Sequence, residues 1–400
     1  MASGLVVATL SLASASAQEK PKKGGFRLGP FQVSGVAPFT AGYDGNVYNT
    51  PVAVGDQAFT IVPTLQVLLP LGRRARIRST GGIAPYYFAT EKSERHTDLF
   101  GSTRAEVDVG PFTPFGGLQG ARYNQRFSLE IDDRIRRNES GYSFGTAIRL
   151  RRQLTLSASQ SNLTSTYDPE ATFAGQPVSD SLDRKTQTRT LQLTVPLTRK
   201  TSLAPWVDLI EDRFLAAPGL VPLVKSSRYG AAFEFSELAF FNGRAAAGIR
   251  HFDGNGSVPA YDGPFLAVSL GMPFVLGSKL QLAATRDISY SAVPAAAGPE
   301  VRQTYVAGTY GATISFELPW KLQGRALGGY DESRYLPLAG SDQSLTTPSE
   351  HGYTVAAILL RHLGRHLSLG GIMRFLNRAS PIANRRYSDR IYGVTGEMTF

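Results

Sequence analysis

Asp389-Arg-Ile-Tyr-Gly-Val-Thr-Gly-Glu-Met-Thr-Phe400 carries the pattern that decides the fold. In an extended strand successive side chains point to opposite faces. Tyr392, Val394, Met398 and Phe400 therefore line one face, and Thr395, Glu397 and Thr399 line the other. One side of this strand suits an apolar medium and the other suits water. A sheet lying over a protein core has that property. So does the wall of a barrel whose outside meets lipid.

The rest of the chain repeats the pattern as hairpins. Phe59–Leu69 turns through Pro70-Leu-Gly-Arg73 into Arg74–Phe88, and Asp98–Val109 turns into Phe115–Tyr123. Tyr142–Leu150 leads to Gln153–Leu163, and Thr188–Val195 to Ser202–Asp212. Arg228–Phe235 reaches Arg244–Phe252 through Asn242-Gly243, a dipeptide that favours tight turns. Pro264–Met272 with Lys279–Tyr290, Tyr305–Leu318 with Leu322–Tyr330, and Tyr353–Leu360 with Leu367–Phe375 complete the series. A first strand at Phe31–Tyr43 and the terminal strand bring the expected total to about eighteen, an even number as transmembrane barrels require.

The connections are sorted by length. Tight turns alternate with long stretches at 125–140, 164–185, 215–225, 291–300 and 336–350, rich in Asp, Ser, Gly and Pro. Short turns at one rim and long loops at the other are the arrangement of outer-membrane barrels. The faces agree. Val306, Gly308, Tyr310, Ala312, Ile314, Phe316 and Leu318 share one side, while Thr309, Thr313, Ser315 and Glu317 share the other. Aromatic residues gather near strand ends, at Tyr86-Tyr87-Phe88 on the expected outer rim and at Phe240-Phe241, Phe274 and Trp320 on the inner. Rings at that level anchor a wall in the headgroup zone. A terminal strand ending in Phe400 resembles the assembly signal of bacterial outer-membrane barrels, and implies recognition by their assembly machinery.

No stretch is long and apolar enough for a membrane-spanning helix. Gly4–Leu12 is a short apolar run followed by Ala15-Ser-Ala17, which predicts a secretory signal peptide over 1–17 and a mature start near Gln18. No Lys or Arg precedes that run. Residues 18–29 read as a short solvated periplasmic lead, and 30–400 as one transmembrane β-barrel. The absence of cysteine removes thiol chemistry and cysteine metal sites from consideration. The net charge of +10 would suit nucleic acid, but the basic residues are scattered and the chain reads as exported. Outer-membrane lipid, lipopolysaccharide or glycan are the expected electrostatic partners.

Three segments carry a family resemblance. They are Ala41-Gly-Tyr-Asp-Gly-Asn-Val-Tyr48, Phe240–Asp253 with its Arg250-His-Phe252 ending, and Ala284-Thr-Arg-Asp-Ile-Ser-Tyr-Ser291. Together they resemble the outer-membrane barrels of exopolysaccharide operons, the β-barrel porin type 2 kind. Gly45 stands where that family's first-strand motif has a second Asp. The resemblance implies a barrel assisting exopolysaccharide export or working beside its secretion apparatus. It transfers no catalytic residue and no cofactor.

Candidate residues follow from alternation. Arg76, Arg78, Arg149, Arg250, Arg325 and Arg374 fall on the polar face, as do Asp208, Asp212, Glu234, Asp287, Glu317 and Glu397. A lipid-facing Arg or Lys at mid-membrane costs about 2–4 kcal/mol, so these are expected to line a water-filled lumen. Arg189 and Arg286 break the rule by falling on the apolar face, which predicts a bulge or side chains reaching for headgroups. An enzyme would need a His beside a Ser or an acid. His96, His251, His351, His362 and His366 have none at motif spacing. Asp132, Asp133 and Asp342 are loop charges without the converging oxygens of a calcium site. The sequence thus predicts a porin-like channel for small hydrophilic solutes or for exopolysaccharide. A soluble secreted all-β binding protein and a structural, adhesive or enzymatic barrel are the alternatives.

Overall fold

The computed structural model describes residues 25–126, 128–131, 133–150, 154–173, 175–215, 223–236, 240–253, 258–294, 302–336, 349–381 and 385–400. The expected signal peptide and most of the lead therefore lie outside the described residues, as do Asp132 and Asp342.

Eighteen antiparallel strands close into one barrel. β1 is Phe31–Asp44, β2 runs in two pieces, Asp56–Ile61 and Thr64–Leu71, and β3 is Ala75–Phe88. β4 (His96–Val107), β5 (Phe112–Gln125), β6 (Ile135–Arg149) and β7 (Thr155–Tyr167) follow. β8 is Arg184–Pro196, β9 Thr201–Phe214, β10 Leu223–Phe235, β11 Asn242–Phe252 and β12 Tyr261–Pro273. β13 is Lys279–Pro294, β14 Arg302–Leu318 and β15 Leu322–Tyr335. β16 (Ser349–His362), β17 (Leu367–Ala379) and β18 (Tyr387–Thr399) complete the ring. Each strand pairs with the next in sequence, and β18 pairs back onto β1 from Thr399 opposite Val36 to Ile391 opposite Asp44.

The apolar face is outside. Leu118 is 68% exposed and Met373 67%, in a wall where Leu209, Tyr229, Val355 and Val394 are also uncovered. In a soluble sandwich such residues would form the core, so the soluble alternative does not describe this chain.

The strands run further at their outer ends than alternation suggests. β6 starts at Ile135 instead of Tyr142, β7 reaches Tyr167 instead of Leu163, and β8 starts at Arg184 instead of Thr188. Arg136, Asn138 and Ser140 alternate there with Arg137 and Glu139, so neither face is apolar although the ladder continues. The expected connections at 125–140 and 164–185 shrink accordingly. β2 differs in another way, being broken at Val62-Pro63. Proline has no N–H to give the ladder. The chain steps around it: Val62 donates to the Pro38 carbonyl (2.8 Å), and Ile83 donates to that of Pro63 (3.2 Å). Nor is the end of the lead a free stub, because Phe26–Leu28 turns at Gly29 and pairs with Phe31–Val33.

The seam between β1 and β18 is tight. Gly42 faces Gly393, and a Cβ on Gly393 would lie 2.2 Å from the Ala41 carbonyl oxygen and 2.5 Å from Gly42 Cα. Only backbone is there to yield. Gly393→Val should therefore loosen closure at a cost of about 1–3 kcal/mol. The heat-modifiable gel shift of the folded barrel would register this as unfolding at lower temperature.

Candidate functional site

The polar face of the barrel is a field of ion pairs. On β3 and β4, Arg76 lies opposite Glu106 and Arg78 lies opposite Arg104. Glu106 takes both Arg76 Nη2 (2.6 Å) and Arg104 Nε (2.7 Å), and the Arg104 guanidinium also covers the Phe115 ring at 3.8 Å. Arg78 makes no ion pair or hydrogen bond among the described residues. One carboxylate thus serves two guanidiniums beside a third that has none, and this wall keeps net positive charge. Arg149 belongs to the inner rim, exposed and 3.1 Å from Asp108.

Across the barrel the balance is closer. Asp208 accepts from Thr190 (2.6 Å) and Arg228 (2.9 Å), and Arg228 also reaches Asp287 at 2.9 Å. Arg250 lies 3.9 Å from Asp287 and donates to Ser226 Oγ at 2.8 Å. Asp212 accepts from Thr186 (2.5 Å) and Tyr290 (2.8 Å), with Arg184 at 3.8 Å. Glu234 stands 3.9 Å from Arg244, and Arg374 3.7 Å from Asp389. Arg325 donates to Gln323 (3.0 Å), whose amide donates to Glu317 (3.1 Å). Glu397 lies in the ladder between Ser368 and Pro38. Alternation read with more care would have found Arg104, Glu106, Arg228 and Arg244, which share these faces.

Arg189 and Arg286 do face outward, and no bulge puts them there: Arg189 lies opposite Leu209 and Arg286 opposite Leu266 in unbroken register. Their depth explains them. Arg189 stands seven positions from Pro196 at the inner end of β8, and Arg286 seven from Lys279 on β13. Tyr142 and Tyr392 are likewise seven from Arg149 and Thr399. Both arginines therefore sit level with the outer aromatic girdle, where a long side chain reaches headgroups. Arg286 is held by Glu332 at 3.4 Å. Within Tyr86-Tyr87-Phe88 only Tyr87 belongs to that girdle, since adjacent residues cannot share a face. Tyr86 stacks on His96, and Phe88 is buried with Val47, Ala58 and Ile391.

The outer mouth holds the contacts that periodicity could not reveal. Segment 126–134, between β5 and β6, reaches the far side of the ring. Its Glu130, 1% exposed, accepts hydrogen bonds from Ser291 Oγ, the Ala292 N–H (2.8 Å) and Tyr335 Oη (3.1 Å), on β13 and β15. On the near side Arg134 pairs with Glu94, and Arg126 donates to the Val47 carbonyl at 2.7 Å. A second segment, between β7 and β8, contains helix α1 (Val178–Leu182). Val178 and Leu182 bury against Tyr167, Phe214, Phe252 and Tyr290. Two connections thus fold into the mouth. The histidines assemble no triad among the described residues: His362 bonds Ser368 Oγ (2.8 Å), His366 the Thr399 carbonyl (2.9 Å), and His251 lies between Asp253 and Asp262.

No protein-family model and no curated protein matches this chain. Among solved structures it is similar to the outer membrane protein OpdK from Pseudomonas aeruginosa, with a TM-score of 0.50 and 9% identity over 92% of this chain and 99% of that one. OccAB3 from Acinetobacter baumannii gives 0.47 at 10% identity over 92% and 98%, and the siderophore receptor PirA from the same organism gives 0.43 at 10% over 92% and 80%. The fold is that of the outer-membrane barrels of Gram-negative bacteria.

Burial raises the Glu130 carboxyl above its ordinary value, although its three donors pull the other way. The docked segment therefore favours the protonated form. Docking is strongest below the ordinary glutamate range and weakens as pH climbs through the raised value. The chain has no cysteine of its own, so a nitroxide on Asp133→Cys reports this segment alone. Its mobility should increase with pH in the unmodified background. Glu130→Gln, which holds the neutral form, should flatten the response.

Proposed function

We propose that this chain is an outer-membrane channel that passes small hydrophilic solutes passively and favours anions. The observation that carries the reading is the wall at β3 and β4, where Arg76 and Arg104 share the carboxylate of Glu106 and Arg78, opposite Arg104, has no acid of its own among the described residues. Cross-strand like charges repel unless an acid, water or a passing anion stands between them. A low-dielectric wall focuses their field into an aqueous lumen. The inward charges on the opposite wall act as counterweights that keep this preference modest. Phe400, whose backbone bonds Gly35 in both directions, closes the seam and serves as the element that the assembly machinery reads.

The resemblance of 41–48, 240–253 and 284–291 to exopolysaccharide-associated barrels supports a second reading, in which the solute is a glycan passed on by a secretion apparatus. A deletion strain that secretes normal glycan would count against it. Both readings require recovery of the chain with outer membranes and β-sheet circular dichroism in detergent.

The anion preference has its own test. In planar bilayers under a salt gradient, Arg76→Gln/Arg78→Gln should move the reversal potential toward cations, and the difference should shrink at high salt as the Debye length falls below about 10 Å. An unchanged potential would leave the arginines as bracing only. Absence of conductance in the unmodified barrel would favour a structural or adhesive role.

A further inference from the structure

The outward side of β8, β9 and β10 presents a group of charges unlike those inside. Lys185 lies directly opposite Arg213, and Glu211 lies opposite Gln187 on one side and Lys225 on the other. Arg189 completes the group and, among the described residues, donates only to the Gln187 side-chain Oε1, at 3.4 Å. The four cations are exposed, and none forms an ion pair among the described residues. On the inward side of the same strands Arg184 has Asp212 and Arg228 has Asp208. On these three strands the inner cations thus have acids, and the outer ones form no ion pair among the described residues.

Position says what that is. Arg189 sits at the level of the aromatic girdle. Lys225 stands ten positions from Phe235, Lys185 eleven from Pro196 and Arg213 twelve from Thr201. They lie three to five positions further out than Arg189, roughly 10–17 Å along the strands. That band is just beyond the apolar belt, at the depth of phosphorylated headgroups. Two cations directly opposite each other destabilise a ladder unless an anion bridges them. A phosphate, with several acceptor oxygens, does this well.

We propose that Lys185, Arg213 and Lys225, with Arg189 below them, form a lateral site for the phosphates of an outer-leaflet glycolipid such as lipid A. The inference rests on the chain being an outer-membrane barrel but not on its conducting. Glu211 at the centre of the group keeps its charge from spreading along the wall and biases the ligand toward Lys185 and Arg213.

The test uses the full chain, folded in detergent free of lipid A, and native mass spectrometry with bisphosphorylated and dephosphorylated lipid A. Lys185→Gln/Arg213→Gln/Lys225→Gln should weaken binding of the bisphosphorylated form by about tenfold to a hundredfold. The charge-keeping variant Lys185→Arg/Arg213→Lys should bind as the unmodified chain does. Heat-modifiable migration of all variants establishes that they are folded. Equal binding by the triple variant, or equal binding of dephosphorylated lipid, would overturn the site. Displacement by millimolar inorganic phosphate would show a free-anion site and would also overturn it. Conductance in lipid-A-free bilayers separates the two readings: its absence from the unmodified barrel refutes the channel while lipid binding still decides this site.

Discussion

Every backbone N–H and C=O exposed to hydrocarbon must find its partner within the chain, and the rest of this structure depends on that requirement. An open sheet leaves two edges unsatisfied. Joining Val36–Asp44 to Ile391–Thr399 removes both at once, and the close approach of Gly42 to Gly393 is the local consequence. The break in β2 obeys the same rule. Pro63 withholds a donor, and the neighbouring Val62 and Ile83 amides are redirected so that the carbonyls of Pro38 and Pro63 are still used.

Closure separates two solvents, and the side chains sort accordingly. Arginine is tolerated inside because water and carboxylates are available, so Glu106 takes Arg76 from the next strand and Arg104 from its own, and Asp208 takes Arg228. Outside, arginine survives only where headgroups begin. Arg189 and Arg286 occur at the same remove from their inner turns as Tyr142 and Tyr392. A chain can change its outward chemistry from apolar to cationic within one alternation because the bilayer does so over a similar distance.

The barrel, its strand number and its polar face were legible in the sequence because alternation is strongest where one side meets lipid and the other water. The signal fails where that contrast ends. Ile135–Ser140 and Arg184–Gln187 are strands with no apolar face, and only hydrogen-bond register identifies them. Tyr86-Tyr87-Phe88 read as a cluster because composition ignores parity. Glu130 was out of reach for another reason. Its partners Ser291 and Tyr335 are distant in sequence, and no period connects a loop tip to the opposite wall.

That loop tip shows how a conditional closure can be built from ordinary parts. Val178 and Leu182 enter an apolar patch formed by Phe214, Phe252 and Tyr290, which holds that segment in the mouth. Segment 126–134 adds Ile131 to the same patch and carries a carboxyl into comparable burial beside it. Removing a carboxylate from water costs several kcal/mol after relaxation, and three hydrogen bonds offset only part of it. An apolar residue in place of Glu130 would cap the mouth without titrating. A carboxyl makes the second cap depend in part on its own proton. The mouth therefore has two segments held by packing in one apolar cluster, and in one of them a buried carboxyl adds a hold that depends on its proton.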